Sequence, residues 1–426
     1  MVPGTSLYHL CHRFCTAVAD QARLRLRVLR IALLTPAWPG QNTANGITTS
    51  VAHLREGLES CGHDVTIVAM RKDAYCDDDD VIEVPSCPWT LLDKLRWRLG
   101  DDSVPHRLIS RSIAFAVREA ERKFGVSVFV MEETQGWARW LQDEVSVPVV
   151  VTLRGPWAVH KTLNAGDSVS DAHREAREAA ALNMVQGITA PSRDVLEATR
   201  KAYGLPDVPQ TVVPNAVTPA DQIRLAPSDQ GQRRRLLFVG RYDRHKGGDT
   251  VIDMFNRLAA STAECSLSFV GPDRGVDLPD GSMQGIGAHL AILPEPVRQR
   301  ITVLGQRSKS EIMKLRQLHG ITLIASRYEV FGNVMAEAMA VGSPIVCTRV
   351  GGPAEILRHE ETALLVPPDD PEAMAKACAR LFDDPELADK LGHAAREFAE
   401  QNLSPVAVGR QMADFLERVV NSYSKC

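Results

Sequence analysis

Glu329 and Glu337 stand eight residues apart in Glu-Val-Phe-Gly-Asn-Val-Met-Ala-Glu, on either side of Gly332. An ionised carboxylate accepts hydrogen bonds from a pair of vicinal hydroxyls, so two at this spacing can hold two diols, one from a loop and one from a helix. The apolar run Ile321 to Ala325 predicts a buried strand, Ser326 to Gly332 its exit loop, and Asn333 to Val341 a helix closed by Gly342 and Pro344. The first amides of that helix lack intrahelical partners and carry the positive end of its dipole, so a phosphate would be held there. Glu337, about one turn further in, shares a face with Asn333. A phosphate cradle flanked by two diol acceptors is the chemistry of a sugar-nucleotide site.

Cations for a diphosphate come from Val239-Gly240-Arg241-Tyr242-Asp243-Arg244-His245-Lys246-Gly247-Gly248, at the end of another predicted strand. Arg241 offers a planar fork of donors and Lys246 a compact charge, and together they would stabilise a diphosphate as negative charge develops on it. Taken singly, Glu329 and Glu337 read as solvated acids, the usual fate of Glu, and the basic segment as a surface turn. The flanking text, Ala338-Met339-Ala340, Gly342-Ser343-Pro344-Ile345-Val346 and Gly351-Gly352-Pro353-Ala354-Glu355, changes that balance. The stretch resembles the retaining glycosyltransferases of the GT-B fold, family four, whose carboxyl-terminal domain carries an acid, seven residues, acid signature in this setting. The resemblance runs from about Val28 to the carboxyl end and is strongest in the second half.

The resemblance implies transfer of a glycosyl group from a nucleoside diphosphate sugar to an acceptor hydroxyl, with retention at the anomeric carbon. It implies a front-face route in which the leaving phosphate takes the acceptor proton, rather than Glu329 acting as a covalent nucleophile as in retaining glycosidases. Glu329 would then hold sugar hydroxyls, Phe331, Gly332 and Asn333 present backbone amides beside Val334, Glu337 hold the ribose, and Arg241 and Lys246 meet the phosphates. Neither a metal nor another cofactor is expected, because those cations and the helix terminus supply the positive charge. In the first half, Asn45-Gly46 precedes a helix where related enzymes show a glycine pair, making Gly46 a donor-site candidate. Leu153-Arg154-Gly155-Pro156 ends a predicted strand where the family commonly has a histidine that reaches the transferred sugar. Arg154 cannot accept a proton, so in the cleft it must act by charge, on phosphate or on an anionic acceptor.

The elements that must position these groups follow a β, α, β alternation: strands over Val28 to Leu34 and from His63 to Val68, with a helix from about Ile47 to Ser60 between them. Further strands are expected at Val126 to Met131, Val147 to Leu153, Gly187 to Ala190 and Thr211 to Val213, with helices at Asp171 to Asn183 and, N-capped by Ser192, to Tyr203. The polar stretch from Pro214-Asn215-Ala216 onward suits a linker, and the alternation restarts at Leu236 to Val239, Ser266 to Val270, Arg300 to Val303, Ile321 to Ala325 and Ile345 to Cys347. The expected fold is α/β, with GT-B architecture: an extension at 1–27, a Rossmann-like acceptor domain at 28–218, a linker at 219–235 and a Rossmann-like donor domain at 236–404. A helix at 405–423 would return to the first domain, and a ligand would lie in the cleft between two sets of strand ends.

A chain of 426 residues with 44% apolar content suffices for two or three domains. Its net charge of −4 gives no reason to expect nucleic acid. The cysteines, nine and without a Cys-x-x-Cys pair, suggest reduced thiols and a cytoplasmic setting. Cys11, His12 and Cys15 are too loosely ordered to read as a metal site, and Asp77 to Asp80 reads as a solvated loop rather than the metal-binding Asp-x-Asp of other transferases. Trp89 to Leu99 mixes apolar and basic residues in a short helix; partial burial on the first domain is its expected use, and peripheral contact with an anionic membrane its alternative. Two further classes compete with transfer: a catalytically silent GT-B scaffold, motivated by Arg154, and an epimerase or phosphorylase on a similar frame.

Overall fold

The computed structural model describes residues 28–39, 45–160, 169–218, 230–262, 264–278 and 280–424. The readings made for 1–27 and for most of the linker at 219–235 lie outside the described residues.

Strands β1 (Arg30–Thr35), β2 (Asp64–Ala69), β3 (Val81–Glu83), β4 (Val128–Glu132), β5 (Val149–Thr152), β6 (Gly187–Ala190) and β7 (Gln210–Val212) form one parallel sheet in the order 3-2-1-4-5-6-7. Strands β8 (Arg235–Val239), β9 (Ser266–Val270), β12 (Ile301–Gly305), β13 (Ile321–Ile324), β14 (Ile345–Thr348) and β15 (Leu364–Val366) form a second in the order 12-9-8-13-14-15, and β10 (Val276–Asp277) with β11 (Met283–Gln284) makes a small hairpin. The central strands β4, β5, β13 and β14 are buried at every residue and read as mostly apolar runs because helices cover both faces of their sheets. β3 and β15 escaped the sequence reading, since three residues carry too little pattern to count.

In each sheet the order reverses beside the first strand, between β1 and β4 and between β8 and β13. Loops leaving neighbouring strands at such a point run to opposite faces and leave a crevice at their carboxyl ends. The crevices receive Asn45 and Gly46, residues 132–133, residues 240–247 and residues 326–332.

The helices that matter here are α1 (Gly46–Ser60), α2 (Leu91–Arg98), α3 (Val104–Phe124), α4 (Val169–Leu182), α5 (Arg193–Tyr203), α6 (Gly248–Ser261), α7 (Lys309–Leu318), α8 (Asn333–Ala340), α9 (Gly351–Ile356) and α10 (Pro405–Tyr423). Local chemistry sets their starts: Asn45 caps α1 by accepting from Ile47 N at 2.9 Å, and Ser308 with Glu311 forms a capping box on α7. α10 lies on α1 with the backbones nearly touching; a Cβ on Gly57 would sit 1.9 Å from the Pro405 carbonyl oxygen, and one on Gly409 2.3 Å from Gly57. Met412, Phe415, Leu416 and Val419 of α10 join the core under the first sheet, so the last helix belongs to the first domain's interior.

One expectation is overturned. α2 does not bury its apolar residues on the first domain: Leu91 is 86% exposed, Leu99 78%, and Trp89, Leu92, Leu95 and Trp97 are exposed too. Its one buried residue is Asp93, which closes a capping box with Thr90. The box satisfies the first amides of the helix locally, so the helix start is fixed without burial of its apolar side chains.

Candidate active site

The donor-side loop leaves β13 and bends at Gly332, whose φ of 92° is a left-handed conformation that a side chain would strain. Gly332 is the N-cap of α8 and brings no side chain to its first amides, and Gly332, Asn333 and Val334 line the cleft there, where an anion could meet those amides. Glu329 accepts from Lys246 Nζ at 2.6 Å and from Ser326 Oγ at 3.0 Å. Burial pushes its carboxyl up, but the Lys246 charge and hydrogen bond, with His245 and Ser326, outweigh this and hold it below the usual range. Asp243 shapes the opposing loop by accepting from Lys246 N at 2.7 Å and from Arg241 Nε at 2.5 Å.

A cavity of about 300 Å³ gathers Gly46, Arg154, Lys246, Glu329, Phe331, Gly332, Asn333 and Val334, with Ser50, Pro191 and Asn215 completing the wall. A larger one of about 780 Å³ shares Asn45, Gly46 and Asn333 with it and extends to Glu337. The nine candidates besides Arg241 thus line two adjoining spaces between the domains. Arg241 lines neither; its half-exposed side chain is drawn back to Asp243. Glu337 accepts from Arg316 Nη2 at 3.1 Å, and this guanidinium is fully buried on α7, behind the cavity wall.

The sequence reading missed several lining groups. His53 and Glu56 from α1, Gln306 to Ser308 from the loop after β12 and Lys309 at the start of α7 all line the larger cavity. Burial, with Lys309 nearby, holds His53 below its ordinary pKa. Asn215, read as the start of a linker, instead joins the domains: it accepts from Arg154 Nη1 and donates to Asn333 Oδ1 at 2.9 Å. Helical periodicity would have put His53 and Glu56 on a solvated face, and the loop residues carry no pattern at all.

Behind Arg154 lies a buried acidic group. Arg154 N donates to Glu133 Oε2 at 2.8 Å, and Glu178 accepts from Trp157 N at 2.8 Å, Tyr203 Oη at 2.9 Å and Arg174 Nε at 2.8 Å. Burial, only partly offset by Arg154, raises Glu132 to about 7. Burial and the Glu178 charge raise Glu133 to about 8. Among the described residues no group of three or more His, Cys, Asp or Glu is placed to hold a metal ion. Asp78 and Asp80 are engaged with Trp38 Nε1 at 3.2 Å and Arg55 Nη2 at 2.5 Å.

Two family descriptions match the two halves of the chain: "Glycosyl transferases group 1" matches residues 221–398, and "Glycosyl transferase 4-like domain" matches residues 45–216. The chain belongs to the group 1 glycosyltransferases of the GT-B fold. This group 1 glycosyltransferase is 24% identical over 404 residues to a D-inositol 3-phosphate glycosyltransferase of Jonesia denitrificans, covering 88% of this chain and 92% of that one. It is 23% identical over 374 residues to an uncharacterized glycosyltransferase of Methanocaldococcus jannaschii, covering 84% and 90%. In structure it is similar to the sucrose-phosphate synthase of Thermosynechococcus elongatus, with a TM-score of 0.69 at 23% identity over 92% and 100% of the two chains. It is also similar to Anabaena HepE crystallised with UDP-glucose, with a TM-score of 0.65 at 16% identity over 92% and 100%.

Proposed function

We propose that this glycosyltransferase moves a hexose from a nucleoside diphosphate sugar to an acceptor hydroxyl with retention of anomeric configuration, without a metal or other cofactor. The observation that carries the reading is the convergence in one small cavity of Lys246, Glu329 and the open amides of α8. In this reading the diphosphate lies against the start of α8 with Lys246 and Arg241 as counter-charges, the latter swinging from Asp243. Glu329 shares its carboxylate between Lys246 and the hydroxyls of the sugar, and Glu337 holds the ribose in the larger cavity. The anomeric C–O bond to the phosphate breaks, the phosphate oxygen takes the proton of the acceptor hydroxyl, and the acceptor oxygen bonds the carbon on the same face. The fixed cations stabilise the charge that grows on the leaving group.

Arg154 stands across the cavity from Lys246 with its Nε sealed from solvent and unpaired. We assign it a contact with the sugar or acceptor by hydrogen bonding and charge. The test is nucleoside diphosphate release by the purified protein from UDP-, GDP-, ADP- and dTDP-sugars, with chelator present and Glu337→Gln as control. Release from one donor that chelator leaves intact and the control loses supports the reading. Release only with added manganese would remove the metal-independent part, and silence with all donors, even with a panel of hydroxyl acceptors, would favour the silent scaffold.

The partner reading includes a peripheral contact with an anionic membrane surface by a cytoplasmic enzyme. No helix among the described residues is long and apolar enough to cross a membrane. α2 instead offers Leu91, Leu92, Leu95, Trp97 and Leu99 to solvent beside Lys94, Arg96 and Arg98, the mixture that settles at a headgroup boundary. Sedimentation with phosphatidylglycerol vesicles should fall to the level of neutral vesicles when the three basic residues become Gln; unchanged binding would rule the contact out.

A further inference from the structure

The loop that carries Glu329 is held from both sides of the cleft. On its own side, Gly352 N donates to the Glu329 carbonyl oxygen at 2.9 Å, tying the loop to α9. On the other side, Ser192 Oγ donates to the Val330 carbonyl oxygen at 2.7 Å, and the Val330 side chain packs against the core of the first domain. α9 then reaches over as well. The Glu355 carboxylate accepts from Arg193 N at 2.8 Å with one oxygen and from Asp194 N at 2.5 Å with the other. Burial, then the charge and hydrogen bond of Asp194, raises the Tyr328 phenol, so the residue before Glu329 also faces α5.

This arrangement is unusual in one respect: α5 takes its cap from two domains. Ser192, the local N-cap, accepts from Val195 N at 3.4 Å while giving its own proton to Val330. The first amides of the helix are left to a carboxylate that arrives from the donor domain. A negative charge at the positive end of a helix dipole is favourable, and a bidentate acceptor fixes orientation as well as distance. Because α9 and the Glu329 loop are hydrogen-bonded to each other, whatever seats Glu355 on α5 also seats Glu329 opposite Lys246.

We infer that Glu355 is a positioning residue for transfer: it clasps the start of α5 across the cleft and so couples closure of the two domains to the placement of Glu329. The inference rests on the proposed reading for its kinetic consequence but not for its structural one. Glu355 touches neither cavity, and its effect passes through the loop. The clasp is exposed, so salt screens its dipole and charge contribution.

The experiment compares wild type, Glu355→Gln, Glu355→Asp and Ser192→Ala as full-length protein, with three readouts. Deuterium uptake in peptides spanning 328–334 should rise in Glu355→Gln relative to wild type, although the substitution is some twenty residues away in sequence on an exposed position, and the radius of gyration should increase. Where a donor turns over, kcat should fall roughly fivefold, about the loss of one helix cap, with donor KM changed less than about twofold. Glu355→Asp, which keeps the charge on a shorter stem, should recover part of kcat. Added NaCl should depress wild-type kcat but leave Glu355→Gln nearly flat, a signature that simple loss of stability does not produce. Uptake at 328–334 and scattering unchanged in Glu355→Gln would overturn the clasp whatever the kinetics show. No turnover by wild type would count against the transferase reading, while exchange and scattering would still decide the clasp.

Discussion

Glu329 and Glu337, on the second-domain wall of the cleft, the proposed donor side, each meet one cation, Lys246 at 2.6 Å and Arg316 at 3.1 Å. Glu132, Glu133 and Glu178, in the first domain, the proposed acceptor side, crowd around Arg154 and Arg174, and burial pushes the first two up to about 7 and about 8. Lys246 holds the Glu329 carboxyl below its usual range, whereas burial raises Glu132 and Glu133 above theirs. A matched acid and cation can exchange partners with a charged ligand at little cost, because every charge stays compensated throughout. An acid in excess of its cations is accommodated in a dry wall by holding its proton. The donor side is therefore built to meet charge and the acceptor side to titrate.

The largest effect should come from unmatching the first pair. Lys246→Ala should lower kcat by roughly 10²–10³-fold, the range for removing one transition-state charge partner. It should also reverse the pH dependence that Glu329 contributes. In wild type its folded pKa lies below the unfolded value, so the stability it adds is present above the unfolded pKa and is lost as pH falls through the folded one. Without Lys246, burial acts with less opposition, the folded pKa rises, and the residue then costs stability as pH increases. Melting curves of wild type and Lys246→Ala from pH 4 to 8 report this directly. Parallel curves would mean that the pair is not matched in solution, and the comparison with the acceptor side would break.

The second acid sharpens the contrast. Glu337→Gln should raise donor KM roughly tenfold, a difference of about 1.4 kcal/mol, with kcat less affected, since the proposed ribose contact would be uniform binding. Arg316 is fully buried, and its Nε and Nη1 have no partner. Replacing it with Met removes a guanidinium that is poorly compensated, so the fold should lose little stability, while nucleoside diphosphate affinity falls about as far as in Glu337→Gln. Calorimetric titration of both variants with UDP, GDP, ADP and dTDP decides the matter. Wild-type affinity in Arg316→Met would show that Glu337 needs no cation behind it.

What the sequence disclosed follows the same division. Most of the groups on the second-domain wall could be picked out because they sit within two short segments, 239–248 and 326–337, each a strand end running into a helix; Arg241, which lines neither cavity, is the exception. The acceptor side is assembled from Gly46, Glu132, Arg154, Glu178 and Asn215, which lie on five separate elements, and the sheet order alone brings them together. No local rule connects Glu133 with Glu178, and Asn215 looked like linker because it follows Pro214 and opens a stretch that runs on to Thr218 and Pro219. α2 shows the opposite failure. Its apolar residues suggested burial, but the helix is capped locally by Thr90 and Asp93 and leaves those residues exposed.

The smallest expected effect tests the titrating side. Glu133 has its folded pKa raised to about 8, above the unfolded value, so the stability associated with its protonated form is complete below the unfolded pKa and is lost as pH rises through about 8. Glu133→Gln keeps an acceptor for Arg154 N and removes the charge that repels Glu178. Its melting temperature should therefore match wild type near pH 5 and exceed it near pH 9, by roughly 2–4 °C for each kcal/mol relieved in a domain of this size. The gain should be smaller if Arg154 loses as much from the missing counter-charge as Glu178 gains, and the double variant Glu133→Gln with Arg154→Met separates those contributions. A melting temperature lower than wild type at every pH would show Glu133 ionised and paired at neutrality. The acceptor side would then be matched like the donor side, and the distinction between the two walls would rest on geometry alone.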